Sequence, residues 1–182
     1  MKYILASNSP RRRELLKLVI PEYACVTADI EEVCPDDTAP EDRPEYLAVK
    51  KAEAVFEQNP DCVVIGADTA VFLGNTMLGK PRNESEAEDM LRALSGRTHK
   101  VITGCAVVSK DKRVSFSVVS QVTFYDLSEK EIKEYVGTKE PLDKAGAYGI
   151  QGKGALLVKE IKGDYFNIVG LPVAELKRKL MI

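Results

Sequence analysis

Residues 62–69 read Cys-Val-Val-Ile-Gly-Ala-Asp-Thr and contain the central strand signal of the chain. Its first six residues are continuously apolar, which is typical of a short strand buried on both faces of a sheet. The preceding residues 43–58 carry apolar side chains at helical spacing, which predicts a helix beside that strand. The chain therefore has an α/β pattern, with a strand over 62–67 that ends just before Asp68.

Strand and helix signals continue on both sides of this strand. Strands are predicted at 3–6, 23–28, 100–109, 114–124 and 156–161, with a hairpin between 71 and 78. Helices are predicted from Pro10 onward, over 83–96 and 128–137, and at 173–180; their start signals are Ser9 before Pro10 and the capping boxes Asn83 with Glu86 and Ser128 with Glu131. This order predicts a mixed α/β fold, with a largely antiparallel central sheet flanked by helices, in a single domain over residues 1–182.

The composition excludes several classes of protein. The 182 residues are 45% hydrophobic and 30% charged, which is typical of a folded globular chain. The net charge is only −2, so the chain lacks the basic excess of a protein that grips nucleic acid by its phosphates. The sequence contains no signal-peptide pattern and no apolar run of 18 residues. We therefore expect a cytoplasmic protein with no nucleic-acid or membrane partner.

The cysteines and the histidine exclude further chemistry. The four cysteines include no Cys-x-x-Cys pair, so we interpret them as buried free thiols rather than as a zinc site or a disulfide framework. His99 is the only histidine, so a zinc site with several imidazoles is impossible within one chain. His99 lies in an alternating run and is best interpreted as a strand residue. Carboxylates, lysines and a hard metal would then have to carry any hydrolytic chemistry.

The stretch Ser7-Asn-Ser-Pro-Arg-Arg-Arg13 lies where the first strand ends and the first helix begins. Backbone N–H groups at a helix start, with hydroxyl and guanidinium groups beside them, are typical of an anion site. Cations at this end of a helix oppose its dipole, which indicates a function rather than a contribution to helix stability. A solvated basic surface is the alternative interpretation.

Two further motifs lie near the central strand. Asp68 would point into the crevice where open α/β sheets bind ligands, if it does not simply cap a turn. The spacing of Gly74, Gly79 and Lys80 imitates a P-loop, but Pro81 replaces the hydroxyl residue that ligates magnesium. We reject the P-loop interpretation and keep Lys80 as a candidate to neutralise phosphate.

The segment over 143–152 is rich in glycine and irregular, and it contains Tyr148 and Gln151. Such a loop within a compact domain is more often functional than not, because glycines let the backbone approach a ligand closely. Together with the clustered arginines and carboxylates, it suits phosphate chemistry that uses a divalent cation.

In this order, these motifs resemble the Maf family of nucleoside triphosphate pyrophosphatases. The matching blocks run over nearly the whole chain: Ile4-Leu-Ala-Ser-Asn-Ser-Pro-Arg-Arg12, Glu32, Lys51-Ala52, Gly66-Ala-Asp-Thr69, Gly79-Lys-Pro81, Thr103-Gly104, 144–152 and Gly170-Leu-Pro172. The resemblance implies an elongated mixed sheet in two lobes, similar to the inosine triphosphatase fold, with substrate in a cleft between the lobes. It also implies cleavage between the α and β phosphates, a divalent metal such as Mg²⁺ or Mn²⁺, and a homodimer.

The resemblance assigns roles to individual residues. Asp68 matches the proton acceptor and, with Glu32, the metal ligands, although the neighbouring Glu31 leaves open which carboxylate is used. The residues that match phosphate-binding positions are Ser7, Arg12, Lys51 and Lys80, and those that match base-selecting positions are Arg11, Thr69 and Gln151.

Two motifs favour the branch of the family that acts on dTTP and UTP. They are Ser-Pro-Arg-Arg at 9–12 and Ala-Gly-Ala-Tyr-Gly-Ile-Gln-Gly at 145–152. We therefore expect hydrolysis of dTTP and UTP, or of modified pyrimidine forms, to the nucleoside monophosphate and pyrophosphate. The alternative is a non-catalytic, nucleotide-sensing regulator of septum formation.

Overall fold

The fold is built on one sheet whose strands run in both relative directions. The computed structural model describes residues 2–180, and within that range the elements are β1 (Lys2–Ala6), α1 (Pro10–Leu16), β2 (Ala24–Cys25), α2 (Arg43–Gln58), β3 (Cys62–Leu73), β4 (Thr76–Leu78), α3 (Glu84–Leu94), β5 (Thr98–Val108), β6 (Arg113–Phe124), α4 (Glu129–Gly137), β7 (Val158–Lys162), α5 (Tyr165–Val169) and α6 (Val173–Leu180). Short 3₁₀ turns lie at Pro40–Asp42, Glu140–Asp143, Ala145–Ala147 and Gly152–Leu157.

The sheet has the strand order β2-β1-β3-β5-β6-β7, and β4 pairs with β3 outside this path. β1 pairs in parallel with both β2 and β3, while the β3–β4 and β6–β7 pairs are antiparallel. The predicted mixed α/β class, with a mixed central sheet and flanking helices, is therefore confirmed.

The chain forms two compact units. Of the described residues, the first unit comprises 2–69, 103–118 and 166–180, and the second comprises 70–102 and 119–165. None of the helices described within residues 2–180 is long and apolar enough to cross a membrane.

The first unit has a core between α2 and the sheet. Its buried members are Ile4, Ala6, Ala48, Ala52, Val55, Val64, Ala106 and Val108. Gly66 makes the close approach of α2 possible, because a Cβ at this position would lie 2.1 Å from the carbonyl oxygen of Ala48. A glycine in a strand often marks such a site, where another backbone approaches closely.

The second unit buries Ala70, Phe72 and Ile102 on its part of the sheet. Its helices α3 and α4 contribute further fully buried side chains, including Leu91, Leu94 and Ile132. The capping box of α4 is confirmed: Ser128 accepts from the backbone N–H of Glu131, and Glu131 accepts from that of Ser128.

Several predictions about local structure were wrong. β3 does not end before Asp68 but continues to Leu73, because Thr69, Val71 and Phe72 are strand formers and Val71 pairs with Leu78 of β4. The strand predicted over 23–28 is reduced to Ala24–Cys25, the two residues that pair with β1.

The capping box predicted for α3 forms only in part. Asn83 accepts from the N–H of Glu86, but the Glu86 carboxylate is bound by the backbone N–H and Nε of Arg82 instead. The prediction of buried cysteines holds for Cys105 alone among the four. Cys25 is exposed because the short strand β2 lies at the edge of the sheet.

Candidate active site

Arg12 is the centre of a buried polar cluster in the first unit. Ser9 caps α1, and this places Arg12 in the first turn of the helix. The guanidinium donates from Nε to the carbonyl oxygen of Gly170 at 2.9 Å and from Nη2 to Oγ1 of Thr69 at 2.9 Å. Nη1 lies 3.4 Å from Oγ of Ser7. Three donors of the side chain are therefore held by fixed partners.

Thr69 is in turn held by a buried hydrogen-bond chain. The Thr103 hydroxyl donates to the carbonyl oxygen of Asn167 at 2.8 Å, so it must accept the bond from Thr69, 2.9 Å away. The Asn167 side chain accepts from the backbone N–H of Thr103 at 3.1 Å. Thr103 and Asn167 are fully buried, so the direction of every bond from Arg12 to Asn167 is fixed.

Burial has the largest effect on the pKa of Arg12. Desolvation lowers the pKa of Arg12, while the negative charge of Asp68 opposes this effect. Guanidinium remains protonated at neutral pH even so, because its ordinary pKa lies far above neutrality. The cluster therefore presents a partly desolvated, oriented cation, which is the type of group that binds phosphate oxygens in a defined geometry.

Lys51 joins two carboxylates in the same unit. Its Nζ lies 2.6 Å from Oε1 of Glu32 and 2.7 Å from Oδ1 of Asp68. The side chains of Lys51 and Asp68 are 12% and 17% exposed, whereas that of Glu32 is 59% exposed. Lys51 projects from α2 and Asp68 from the middle of β3, so a helix and a strand fix the two inner members.

Lys50 supports the irregular segment that carries Glu32. Its Nζ donates to the backbone carbonyl oxygens of Glu31 and Val33, at 3.2 and 3.4 Å. These two carbonyls flank Glu32, whose carboxylate pairs with Lys51. Of the adjacent residues Glu31 and Glu32, it is Glu32 whose carboxylate shares the Lys51 ammonium with Asp68.

The structure places the predicted site residues in both units. Ser7, Arg11, Arg12, Glu32, Lys51, Asp68 and Thr69 belong to the first unit, and Lys80 and Gln151 to the second. Lys80 and Gln151 are exposed, and Arg11 is half-buried on α1.

Sequence reasoning assigned no role to Thr103, Asn167 or Gly170. Thr103 interrupts an apolar run in β5, and a polar residue in such a run was the available signal for a buried hydrogen bond. Asn167 lies on α5, a five-residue helix that the sequence pattern did not predict. Gly170 contributes its backbone carbonyl oxygen, which accepts a hydrogen bond from Nε of Arg12.

A divalent cation fits the donor set beside Lys51. Within residues 2–180, no group of three His, Cys, Asp or Glu side chains is arranged to hold a metal ion. Mg²⁺, however, is commonly bound by one or two carboxylates together with substrate phosphates and water. Glu32 and Asp68 supply two carboxylates that converge on one cationic group, so the residues present suit a cation that arrives with a phosphate substrate.

The order and spacing of these residues can be compared with known families. The family model described as Maf-like protein matches residues 2–181. This chain belongs to the Maf family. The cluster around Arg12 and the Glu32–Lys51–Asp68 group are thus features of a Maf protein.

Curated relatives of this Maf chain carry an activity in their names. A dTTP/UTP pyrophosphatase of Bacillus cereus (strain B4264) is 52% identical over 179 residues, which is 98% of this chain and 94% of that protein. A dTTP/UTP pyrophosphatase of Bacillus thuringiensis subsp. konkukian (strain 97-27) is 51% identical with the same coverage.

Solved structures also resemble this Maf chain in fold. The Ham1 protein of Staphylococcus aureus matches with a TM-score of 0.50 and 17% sequence identity, covering 69% of this chain and 73% of that one. At this identity the likeness concerns the fold alone, and it agrees with a mixed α/β sheet flanked by helices.

Proposed function

We propose that this Maf protein hydrolyses dTTP and UTP to the nucleoside monophosphate and pyrophosphate. The observation that carries the proposal is the convergence of Glu32 and Asp68 on Lys51, in the same unit as a half-buried, oriented Arg12. That arrangement occurs in a chain whose relatives, matched over 98% of its length, are named dTTP/UTP pyrophosphatases. Removal of triphosphates from the nucleotide pool is the corresponding cellular role.

Asp68 is the proposed general base. Water that attacks the α-phosphorus must lose a proton, and a carboxylate held on a rigid strand can accept it. A carboxylate has two oxygens, so Asp68 can hold Lys51 with one and accept a proton with the other. This interpretation does not need Asp68 to lie at a strand end.

Cationic and hydroxyl groups are the proposed phosphate ligands. Arg12 and Ser7 act together, because Ser7 also accepts from the backbone N–H of Ser9 and so fixes the turn before α1. Lys51 and Lys80 are the proposed ammonium partners of the triphosphate. Such groups stabilise the negative charge that shifts between phosphate oxygens during transfer.

Glu32 and Asp68 would hold a divalent cation, Mg²⁺ or Mn²⁺. When bound, such a cation neutralises phosphate charge and orients the triphosphate. Without it, Lys51 keeps the two carboxylates together by neutralising part of their mutual repulsion.

Base selection is assigned to Arg11, Thr69 and Gln151. Exposed Gln151 offers both an amide donor and an acceptor, which matches the imide edge of thymine and uracil. Thr69 touches Arg12 directly, so its contribution to base selection would be combined with an effect on phosphate binding.

The remaining assignments concern the whole chain. We treat residues 1–182 as one Maf domain that works in the cytoplasm as a homodimer, without a nucleic-acid or membrane partner. The near-neutral net charge of −2 supports the absence of a nucleic-acid partner.

The test is to follow dTTP and UTP with Mg²⁺ or Mn²⁺ by ³¹P NMR. We expect monophosphate and pyrophosphate as the direct products, and we expect EDTA to abolish turnover. A nucleoside diphosphate with orthophosphate would contradict the proposed bond cleavage. Binding of dTTP without any turnover would favour the nucleotide-sensing regulator instead.

A further inference from the structure

Residues 149–154 form a short segment that is tied at both ends by two side chains from outside it. At one end, the backbone N–H of Gly149 donates to the hydroxyl of Tyr135 at 3.1 Å. At the other end, the backbone N–H groups of Lys153 and Gly154 donate to the two carboxylate oxygens of Glu140, each at 3.1 Å. Gln151 lies between the two ends and is exposed.

Tyr135 and Glu140 are themselves joined. The Tyr135 hydroxyl donates to Oε1 of Glu140 at 2.9 Å, so one hydroxyl proton and one carboxylate link both ends of the segment. Tyr135 is buried on α4, a helix whose start is fixed by its own capping box. Tyr135 is therefore anchored to a regular element, and its hydroxyl holds Glu140, which begins the 3₁₀ turn Glu140–Asp143.

The glycines of the segment are packed directly against this pair. Gly152 has a φ of +69°, and a Cβ there would lie 2.8 Å from Oε2 of Glu140. A Cβ at Gly154 would lie 2.6 Å from the Tyr135 hydroxyl oxygen. Because no side chain fits between these two glycines and the pair, the backbone that follows Gln151 is in contact with the pair.

The electrostatics of Glu140 agree with this geometry. Partial desolvation raises its pKa, but the N–H groups of Gly154 and Lys153 and the Tyr135 hydroxyl lower the pKa more, so the net shift is downward. A carboxylate that accepts several backbone N–H bonds is stabilised in its charged form. The charged Glu140 thus gives charge-assisted bonds, which are stronger than neutral ones.

We propose that Tyr135 and Glu140 are positioning residues that hold Gln151 in place for base recognition. The inference rests on the proposed function, because Gln151 recognises a base only if the chain binds pyrimidine triphosphates. A flexible six-residue segment would lose affinity by paying the cost of ordering at each binding event, whereas a fixed one does not. Neither side chain needs to touch the substrate.

The first part of the test uses Tyr135→Phe, which removes one hydroxyl and keeps the buried ring. We expect the ratio of kcat/KM for dTTP over dCTP to fall about 3- to 10-fold, with the change mainly in dTTP. Tyr125→Phe is the matched control, since Tyr125 is an exposed tyrosine in the same unit. Backbone hydrogen exchange at residues 149–154 should become faster in Tyr135→Phe but not in the control Tyr125→Phe.

The second part uses Glu140→Gln, in which an amide NH₂ replaces one of the two accepting oxygens and meets a backbone N–H. The same fall in selectivity is expected, with Glu134→Gln on the exposed face of α4 as the control. In a Gln151→Ala background, neither Tyr135→Phe nor Glu140→Gln should lower the dTTP/dCTP ratio further. Both substitutions are expected to act on selectivity only through Gln151, which is already absent from that background.

The outcomes separate this inference from the proposed function. If wild-type protein does not hydrolyse dTTP, the proposed function fails and the inference falls with it. If wild-type protein is selective and Gln151→Ala abolishes selectivity, but folded Tyr135→Phe and Glu140→Gln keep the wild-type ratio, only the inference is overturned. An equal loss for dTTP and dCTP, together with a lower Tm, would also overturn it by showing a purely structural role.

Discussion

Lys51 Nζ lies 2.7 Å from Asp68 Oδ1 and 2.6 Å from Glu32 Oε1, so one ammonium bridges the two carboxylates that the sequence singled out. Lys51 and Asp68 are mostly shielded from solvent. Removing the charge of one partner of such a pair usually destabilises the fold, because the other charge is left buried without a counter-charge. Glu32 reduces that penalty here, because it leaves Lys51 with a second carboxylate. Asp68 can therefore be changed with limited damage to the fold.

Asp68→Asn should fold normally and lose most of its activity. Asparagine is nearly isosteric and still accepts a bond from Lys51, but it cannot take a proton from water. General base catalysis contributes about 10²–10⁴-fold, so kcat for dTTP should fall by that range. Asp61→Asn, at an exposed residue just before β3, is the control. A stable Asp68→Asn protein with more than about a third of wild-type kcat would remove Asp68 from the mechanism and make Glu32 the next carboxylate to test.

Thr103→Val should destabilise the first unit by about 1–3 kcal/mol. Valine fits the space of threonine, but it removes the buried hydroxyl that donates to the carbonyl oxygen of Asn167 and accepts from Thr69. Thr98→Val removes a hydroxyl from an exposed position of the same strand, so its effect should stay within about 0.5 kcal/mol. Urea unfolding of the two variants measures the difference. Equal free energies of unfolding would show that the chain of hydroxyls below Arg12 adds nothing to stability.

The sequence predicted elements well wherever periodicity was long. α2 and α6 have the predicted bounds, and β6 differs from its prediction by one residue. β2 was too long in the prediction because only Ala24 and Cys25 of the predicted strand pair with β1. α5 has only five residues, which is too few for a helical pattern to be recognised.

The site was predictable in its residue types but not in its contacts. The conjunction of Glu32, Lys51 and Asp68 came from resemblance, and the structure brings the three side chains into direct contact through Lys51. The bonds between Thr103 and Asn167 join residues 64 positions apart, and no local pattern encodes such a pairing. Asp68 was expected at a strand end because the apolar run stops at Ala67, whereas β3 continues to Leu73 and its residues 71–73 pair with β4.

Gly66→Ala should destabilise the protein by about 2 kcal/mol or more. The new Cβ would lie 2.1 Å from the carbonyl oxygen of Ala48, a backbone atom that can move only if α2 moves. Overpacking of this kind costs about 1–3 kcal/mol and sometimes more. Gly137→Ala, at the end of α4 with open space around it, should be neutral or slightly stabilising. Thermal unfolding checks both; a Gly66→Ala protein with wild-type Tm would show that α2 does not pack this closely.

Stability should fall between pH 6.5 and pH 4 because of His99. This residue is buried on β5, with Nε2 2.7 Å from the Tyr148 hydroxyl and its ring against Phe124, and desolvation lowers its pKa to about 4. In the unfolded chain its pKa is near 6.5, so between these values the unfolded state binds the proton and the folded state does not. The free energy of unfolding therefore decreases as pH falls through this window, by about 2 kcal/mol from pH 7 to pH 5 for this residue alone. His99→Gln keeps a side chain that can bond to Tyr148 but does not titrate, so its unfolding free energy should depend less on pH over the same interval. Urea unfolding at pH 5, 6 and 7 for both proteins gives the comparison, and parallel pH profiles would show that His99 is protonated as easily in the folded protein as in the unfolded chain.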